Sequence, residues 1–181
     1  MQYTSDKQNK YYDVYTDLRN FPEAVILIAY SRRGVGKTYG ALWGAYRAHK
    51  PIVYIKRTIE DINLICSGTS EFDTSPYVPI NRDHGTNIKP KKIAKGIGAF
   101  YDFDADNEPI GAPVAYALAL SAIKNVKGID LSHCDYMIFD EFIPQISETR
   151  VLHSEGEALL DVYATVSRDR DKSGKTPLKL L

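Results

Sequence analysis

The distribution of apolar and polar positions along the chain predicts alternating strands and helices. Residues 24–30, Ala-Val-Ile-Leu-Ile-Ala-Tyr, form an unbroken apolar run leading into a glycine-rich stretch, the pattern of a strand buried on both faces at the centre of a parallel sheet. Residues 37–49 carry Leu42, Ala45 and Tyr46 at helical spacing, so a helix follows. Gly40 and Gly44 each cost that helix about 1 kcal/mol relative to alanine and are expected to let it pack close to the sheet. Pro51 stops it, and residues 52–55 read as a second strand. Thr58, with Asp61 three positions on, reads as the N-cap of a short helix reaching Ile65.

Between residues 68 and 95, Pro, Asp, Asn and Gly interrupt any period, which predicts an irregular surface insertion. Residues 99–103 and 113–120 flank the turn-rich Asp104-Ala105-Asp106-Asn107-Glu108, the signature of a β-hairpin whose second arm is the more buried and can enter the main sheet. Tyr136-Met137-Ile138-Phe139 is a third core strand. Ser154 and Glu157 have capping-box spacing ahead of Leu159, Val162, Tyr163 and Val166, a stripe of the kind that packs into a core. Residues 176–181 begin another apolar strand and the sequence stops inside it, as expected of an N-terminal piece of a longer protein. The whole reads as one α/β domain with a central, mainly parallel sheet flanked by helices and carrying a hairpin and loop insertion.

Composition narrows this little. With 181 residues, 44% of them hydrophobic, the chain can build one real core but not two domains of ordinary size. Lys plus Arg (23) equals Asp plus Glu (23), so no general field draws it to phosphate, and nucleic acid is neither suggested nor excluded. Cys66 and Cys134 lack the spacing of a zinc or redox motif and read as free thiols, as suits a reducing cytoplasm. The polar, tyrosine-rich first dozen residues lack the apolar centre of a secretion signal. No apolar run approaches the roughly 20 residues that span a bilayer.

Candidate chemistry sits at two points. Ser31-Arg32-Arg33-Gly34-Val35-Gly36-Lys37-Thr38 follows the first apolar run and opens the first helix, the context of a phosphate-binding Walker A loop. Glycines at 34 and 36 allow a tight backbone with N–H groups turned inward, Lys37 can reach the β- and γ-phosphates, and the Thr38 hydroxyl can ligate magnesium. Tyr39 completes the candidate nucleotide-contacting stretch. Ser31 stands where the full pattern asks for glycine; it could bring a hydroxyl near the phosphates, while Arg32 or Arg33 adds a cation. Asp140-Glu141 follows the strand of residues 136–139, at the carboxyl end where ligands bind in open α/β sheets. There Asp140 can hold magnesium, as in a Walker B motif, and Glu141 can act as general base toward water. A second acid favours an ATP hydrolase over a kinase. The alternatives are a P-loop phosphotransferase, with residues 68–98 as a lid over an acceptor, and a slowly cycling nucleotide-binding module.

The loop Arg33-Gly34-Val35-Gly36-Lys37-Thr38, the basic strand end Tyr54-Ile55-Lys56-Arg57, the run Ile138-Phe139-Asp140-Glu141-Phe142-Ile143 and Thr165-Val166-Ser167-Arg168-Asp169-Arg170 resemble the DNA encapsidation proteins of podovirus-type phages, their genome-packaging ATPases. The resemblance spans nearly the whole chain. It implies an additional-strand (ASCE-type) P-loop fold and ATP-driven translocation of double-stranded DNA with ATP and Mg2+ as cofactors. It also implies a homo-oligomeric ring, a pentamer by resemblance, at the portal of a procapsid in the host cytoplasm. A C-terminal nuclease-like domain and, in some relatives, a phage-encoded packaging RNA are further implications. Arg168 matches a family arginine and is the candidate for a cation delivered in trans; the alternative is that Arg168 and Arg170 pair locally with Asp169, Asp171 or solvent. The cluster Lys89, Lys91, Lys92 and Lys95 could face DNA or RNA, or be a solvated loop.

Overall fold

The computed structural model describes residues 11–68, 72–122, 128–143 and 153–181. Its elements in chain order are α1 (Val14–Asn20), α2 (Lys37–Arg47), β1 (Ile52–Lys56), α3 (Ile59–Cys66), α4 (Val78–His84), β2 (Ile88–Ala94), β3 (Ile97–Asp102), β4 (Ala115–Ala119), a 3-10 turn (Leu120–Ala122), β5 (Tyr136–Phe139), α5 (Glu155–Val166) and β6 (Lys179–Leu180). The strands form one six-stranded sheet in the order β2-β3-β4-β1-β5-β6. β1 runs parallel to β4 and β5, and β5 parallel to β6, while β3 is antiparallel to both of its neighbours, β2 and β4. Among the described residues no helix is long and apolar enough to cross a membrane.

Burial explains the layering. Ile52, Val53, Tyr54 and Ile55 of β1 are all buried, because both sheet faces are covered. Tyr54 and Ile52 face a core built with Leu42 and Ala45 of α2, Ile62 and Ile65 of α3, and Ile80 of α4. Val53 and Ile55 face Met137, Leu118 and the Val162–Val166 stripe of α5. Both cysteines are free, Cys134 buried and Cys66 half-buried. Thr58 caps α3 through a full capping box with Asp61.

Four expectations are corrected. Residues 24–30 are not a central strand: among the described residues they touch the sheet through a parallel bridge between Ile26 and Leu180 on the outer side of β6, and Ile26, Ile28 and Tyr30 are exposed. An apolar run reports a tendency to be buried, not the presence of a partner on its far edge. The stretch 68–95 is not irregular, since it holds α4 and the whole of β2; Lys89, Lys91 and Lys92 lie exposed on this edge strand, a common way to block edge-to-edge pairing. Ser154 forms no capping box: its φ is 58° and its side chain makes no cap bond, its hydroxyl lying 3.1 Å from His153 Nδ1. Gly40 and Gly44 serve α1 rather than the sheet. A Cβ at Gly40 would strike the Tyr12 carbonyl, and one at Gly44 the Tyr15 ring, whose hydroxyl donates to Ala41 O at 2.7 Å.

Gly44→Ala is therefore expected to lower stability by up to about 2 kcal/mol net, because an overpacking cost of roughly 1–3 kcal/mol is offset in part by a helix-propensity gain near 1 kcal/mol. Urea unfolding measures it, and a stabilised variant would show that α1 does not press on α2 as described.

Candidate functional site

The loop between residues 30 and 37 turns through two left-handed glycines, Gly34 at φ 83° and Gly36 at φ 76°. Gly36 is the N-cap of α2 and brings no side-chain cap, so the first N–H groups of the helix are left without a local side-chain acceptor. Lys37 Nζ folds back over the loop, donating to Ser31 Oγ at 2.9 Å and to the carbonyls of Ser31 and Arg32 at 3.3 Å each. The serine that departs from the glycine pattern thus holds the lysine. Val35 contributes its carbonyl to Tyr12 N at 2.9 Å. Arg32 and Arg33 are exposed; Arg33 reaches Glu141 only at 3.9 Å, a surface pair of small weight. Tyr39 turns toward α4, with its hydroxyl 2.8 Å from His84 Nε2 and 3.3 Å from Asp83 Oδ2.

The two sequence-distant motifs meet where α2 begins. Thr38 Oγ1 donates to Asp140 Oδ1 at 2.8 Å. The parallel register of β1 and β5, with Ile55 beside Phe139, brings the next residues, Lys56 and Asp140, side by side. Lys56 Nζ lies 3.2 Å from Asp140 Oδ2 and 3.1 Å from Glu141 Oε2, and Tyr54 donates its hydroxyl to Asp140 Oδ2 at 2.8 Å. Glu141 has φ 56°, in the sparsely populated left-handed region. Its backbone is tied by Arg57, whose Nη2 donates to the Phe142 carbonyl at 2.9 Å and the Glu141 carbonyl at 3.4 Å. The same buried guanidinium pairs with Glu155 at the start of α5 through Nε at 2.7 Å and Nη2 at 3.1 Å. A cavity of about 1030 Å³ joins Lys37, Thr38, Asp140 and Glu141 to an apolar wall of Ile26, Ile28, Phe142 and Leu160.

Burial opposes ionisation of Asp140, yet the Lys56 charge and the hydroxyls of Tyr54 and Thr38 outweigh it and hold the carboxyl below 3.8. Burial likewise disfavours the Lys56 ammonium, and the two carboxylates more than offset it, raising its pKa above 10.5. Both groups are charged at neutral pH. Because the Asp140 pKa is depressed on folding, its contribution to stability is present above about pH 4 and is lost as pH falls through the folded value. Urea midpoints are expected to decline from about pH 5 to pH 3, less steeply in Asp140→Asn; equal slopes would show that the Lys56 and hydroxyl contacts do not govern this carboxyl.

Among the described residues no three His, Cys, Asp or Glu side chains gather as a metal-ligand cluster. The pair Thr38 and Asp140 nonetheless offers two hard oxygen donors in contact, which fits magnesium, an ion that retains several waters and uses few protein ligands. Arg168 is exposed two residues past α5, a helix that runs roughly 17 Å from Glu155 to its end, and is not brought to the site. Arg170 is 3% exposed and structural: it donates to the carbonyls of Thr176, Ser132 and Cys134 and to Asp135 Oδ1. Tyr54, Lys56 and Arg57 entered the sequence reading only through the family resemblance, with no role assigned to any of them. The available signal was strand period, since Tyr54 and Lys56, two apart on β1, share a face.

The chain is an α/β protein with a mixed six-stranded sheet, a glycine loop opening one helix and paired acids at a strand end, and solved structures share its fold. No protein-family model and no curated protein sequence matches the chain. The N-terminal domain of the DNA packaging ATPase from bacteriophage phi29 superposes with a TM-score of 0.66 at 16% identity, over 95% of this chain and 77% of that one. The bacteriophage Phi-29 viral genome packaging motor assembly gives 0.64 at 16% identity, and the Phi-28 gp11 DNA packaging motor 0.59 at 21% identity. This chain spans 46% and 49% of the lengths of those two. Its structural neighbours are thus phage DNA packaging ATPases, and at these identities the likeness is one of fold.

Proposed function

We propose that the chain is the ATP-hydrolysing domain of a phage DNA-packaging motor, of the additional-strand P-loop type. The observation that carries this reading is the Thr38–Asp140 hydrogen bond of 2.8 Å, which joins the glycine loop to the acidic strand end. Topology supports the additional-strand assignment, because β6 lies between β5, which leads to the acids, and the run 24–30, which leads to the loop. In this reading the loop N–H groups and Lys37 bind the phosphates, Lys37 leaving Ser31 to do so. Thr38 and Asp140 hold magnesium, which neutralises phosphate charge when bound. Glu141 takes the proton of the attacking water at its carboxylate once Lys56 releases it. Double-stranded DNA, a portal and procapsid, a homo-oligomeric ring and a packaging RNA are partners that the fold likeness makes worth testing, with Arg168 as the residue presented to a neighbouring subunit.

A second reading has its own observation. A second cleft, of about 520 Å³, is also lined by Thr38, Asp140 and Glu141, together with Thr74, Pro76 and Pro79 from the stretch 68–98, as an acceptor pocket would require. Phosphate release from ATP separates the two. The motor reading expects release without an added acceptor and stimulation by DNA; release that depends on a small acceptor would replace it with phosphotransfer.

A further inference from the structure

The hydroxyl of Tyr54 does something that neither motif accounts for. Tyr54 is 2% exposed in the middle of β1, where phenylalanine would fill the same space without a polar atom to satisfy. Its hydroxyl is donated to Asp140 Oδ2, the oxygen that also faces Lys56 Nζ at 3.2 Å. Asp140 Oδ1 is left to Thr38. The two oxygens of one carboxylate therefore have different surroundings: Oδ2 is tethered from β1, and Oδ1 is directed at the start of α2. A carboxylate on a strand end can rotate and exchange its oxygens, but one oxygen held by a buried phenol cannot leave without stranding that hydroxyl.

We propose that Tyr54 is a positioning residue that fixes the orientation of Asp140, so that Oδ1 is the oxygen offered, beside Thr38, to a divalent cation. The proposal rests on the nucleotide-site reading above. Tyr54 acts through Asp140. Lys56 cannot substitute for it, because its ammonium is shared with Glu141 at 3.1 Å, sits on a flexible stem and repels a second cation. Partners of metal-ligating groups typically contribute about 10–100-fold to metal affinity, and the hydroxyl of Tyr54 is expected to fall in that range.

Tyr54→Phe keeps the ring and removes only the hydroxyl. Mn2+ binding to the chain saturated with a non-hydrolysable ATP analogue, followed by electron paramagnetic resonance, is expected to weaken by about tenfold or more. Analogue affinity in EDTA should stay within about twofold of wild type, because no phosphate contact changes. Unchanged Mn2+ affinity overturns the proposal, as does an EDTA affinity that falls in parallel, which marks the hydroxyl as a general structural support. Lys56→Met is the second variant: if it weakens Mn2+ binding as much as Tyr54→Phe, the tether is one of charge and the assignment to Tyr54 fails. Wild-type chain that binds the analogue equally with and without Mn2+ contradicts the nucleotide-site reading itself, a result distinct from any loss confined to the variants.

Discussion

Glu141→Gln is expected to keep nucleotide affinity close to wild type while ATP turnover falls by ~10²–10⁴-fold, the usual contribution of a positioned general base. Glutamine has the same shape and can accept a hydrogen bond from Lys56 as Glu141 Oε2 does at 3.1 Å, but it cannot take a proton from water. The backbone should tolerate the change, because Arg57 holds the main chain of residues 141 and 142 rather than the Glu141 side chain. Phosphate release beside fluorescent-nucleotide binding measures both quantities. Turnover within tenfold of wild type would assign the proton transfer to another group.

Arg170→Ala is expected to destabilise the chain by roughly 2–4 kcal/mol, because it removes a buried cation whose hydrogen bonds serve several partners, among them the half-buried Asp135. The guanidinium joins three segments: the end of α5, the loop of Ser132, Cys134 and Asp135 that enters β5, and Thr176 ahead of β6. Its removal leaves carbonyls without a donor at a buried position. For Asp135, burial opposes ionisation, but the Arg170 and Lys50 contacts keep its pKa low, so Lys50 retains part of that pairing. Arg168→Ala, two residues earlier and exposed, should change stability by less than about 0.5 kcal/mol. Urea denaturation of the two variants therefore sorts the structural arginine from the one free to serve another role, and equal losses would refute the distinction.

Local patterns revealed the parts of this protein that depend on local patterns. The period of β1 and β5, the Thr58–Asp61 box and the loop from Ser31 to Thr38 could be read because each is set by neighbours a few residues away. The glycine loop and the acid pair were legible for the same reason, and the structure puts Thr38 against Asp140. Sheet order was not. The run 24–30 has a core strand's composition, but its exposure depends on which edges find partners. α1 escaped notice because only Val14 of its seven residues is buried, leaving almost no stripe. β2 escaped because lysines occupy its exposed positions, as edge strands favour. Ser154 has capping-box spacing and the wrong backbone, since a capping serine needs extended φ/ψ and its φ is 58°. Tyr54 and Arg57 contact partners 86 and 98 residues away, and no short-range pattern encodes such contacts.

Residues 31–38 and the pair Asp140 and Glu141 are proposed to form one site for a metal-bound triphosphate. A calorimetric titration of ATP analogue into wild-type chain and Lys37→Ala, each with Mg2+ and with EDTA, tests it most directly. Mg2+-dependent binding to the wild type is expected, with a loss of at least about tenfold in the variant, which lacks the cation proposed to meet the phosphates. Equal affinity of the two proteins, or binding indifferent to Mg2+, would contradict it.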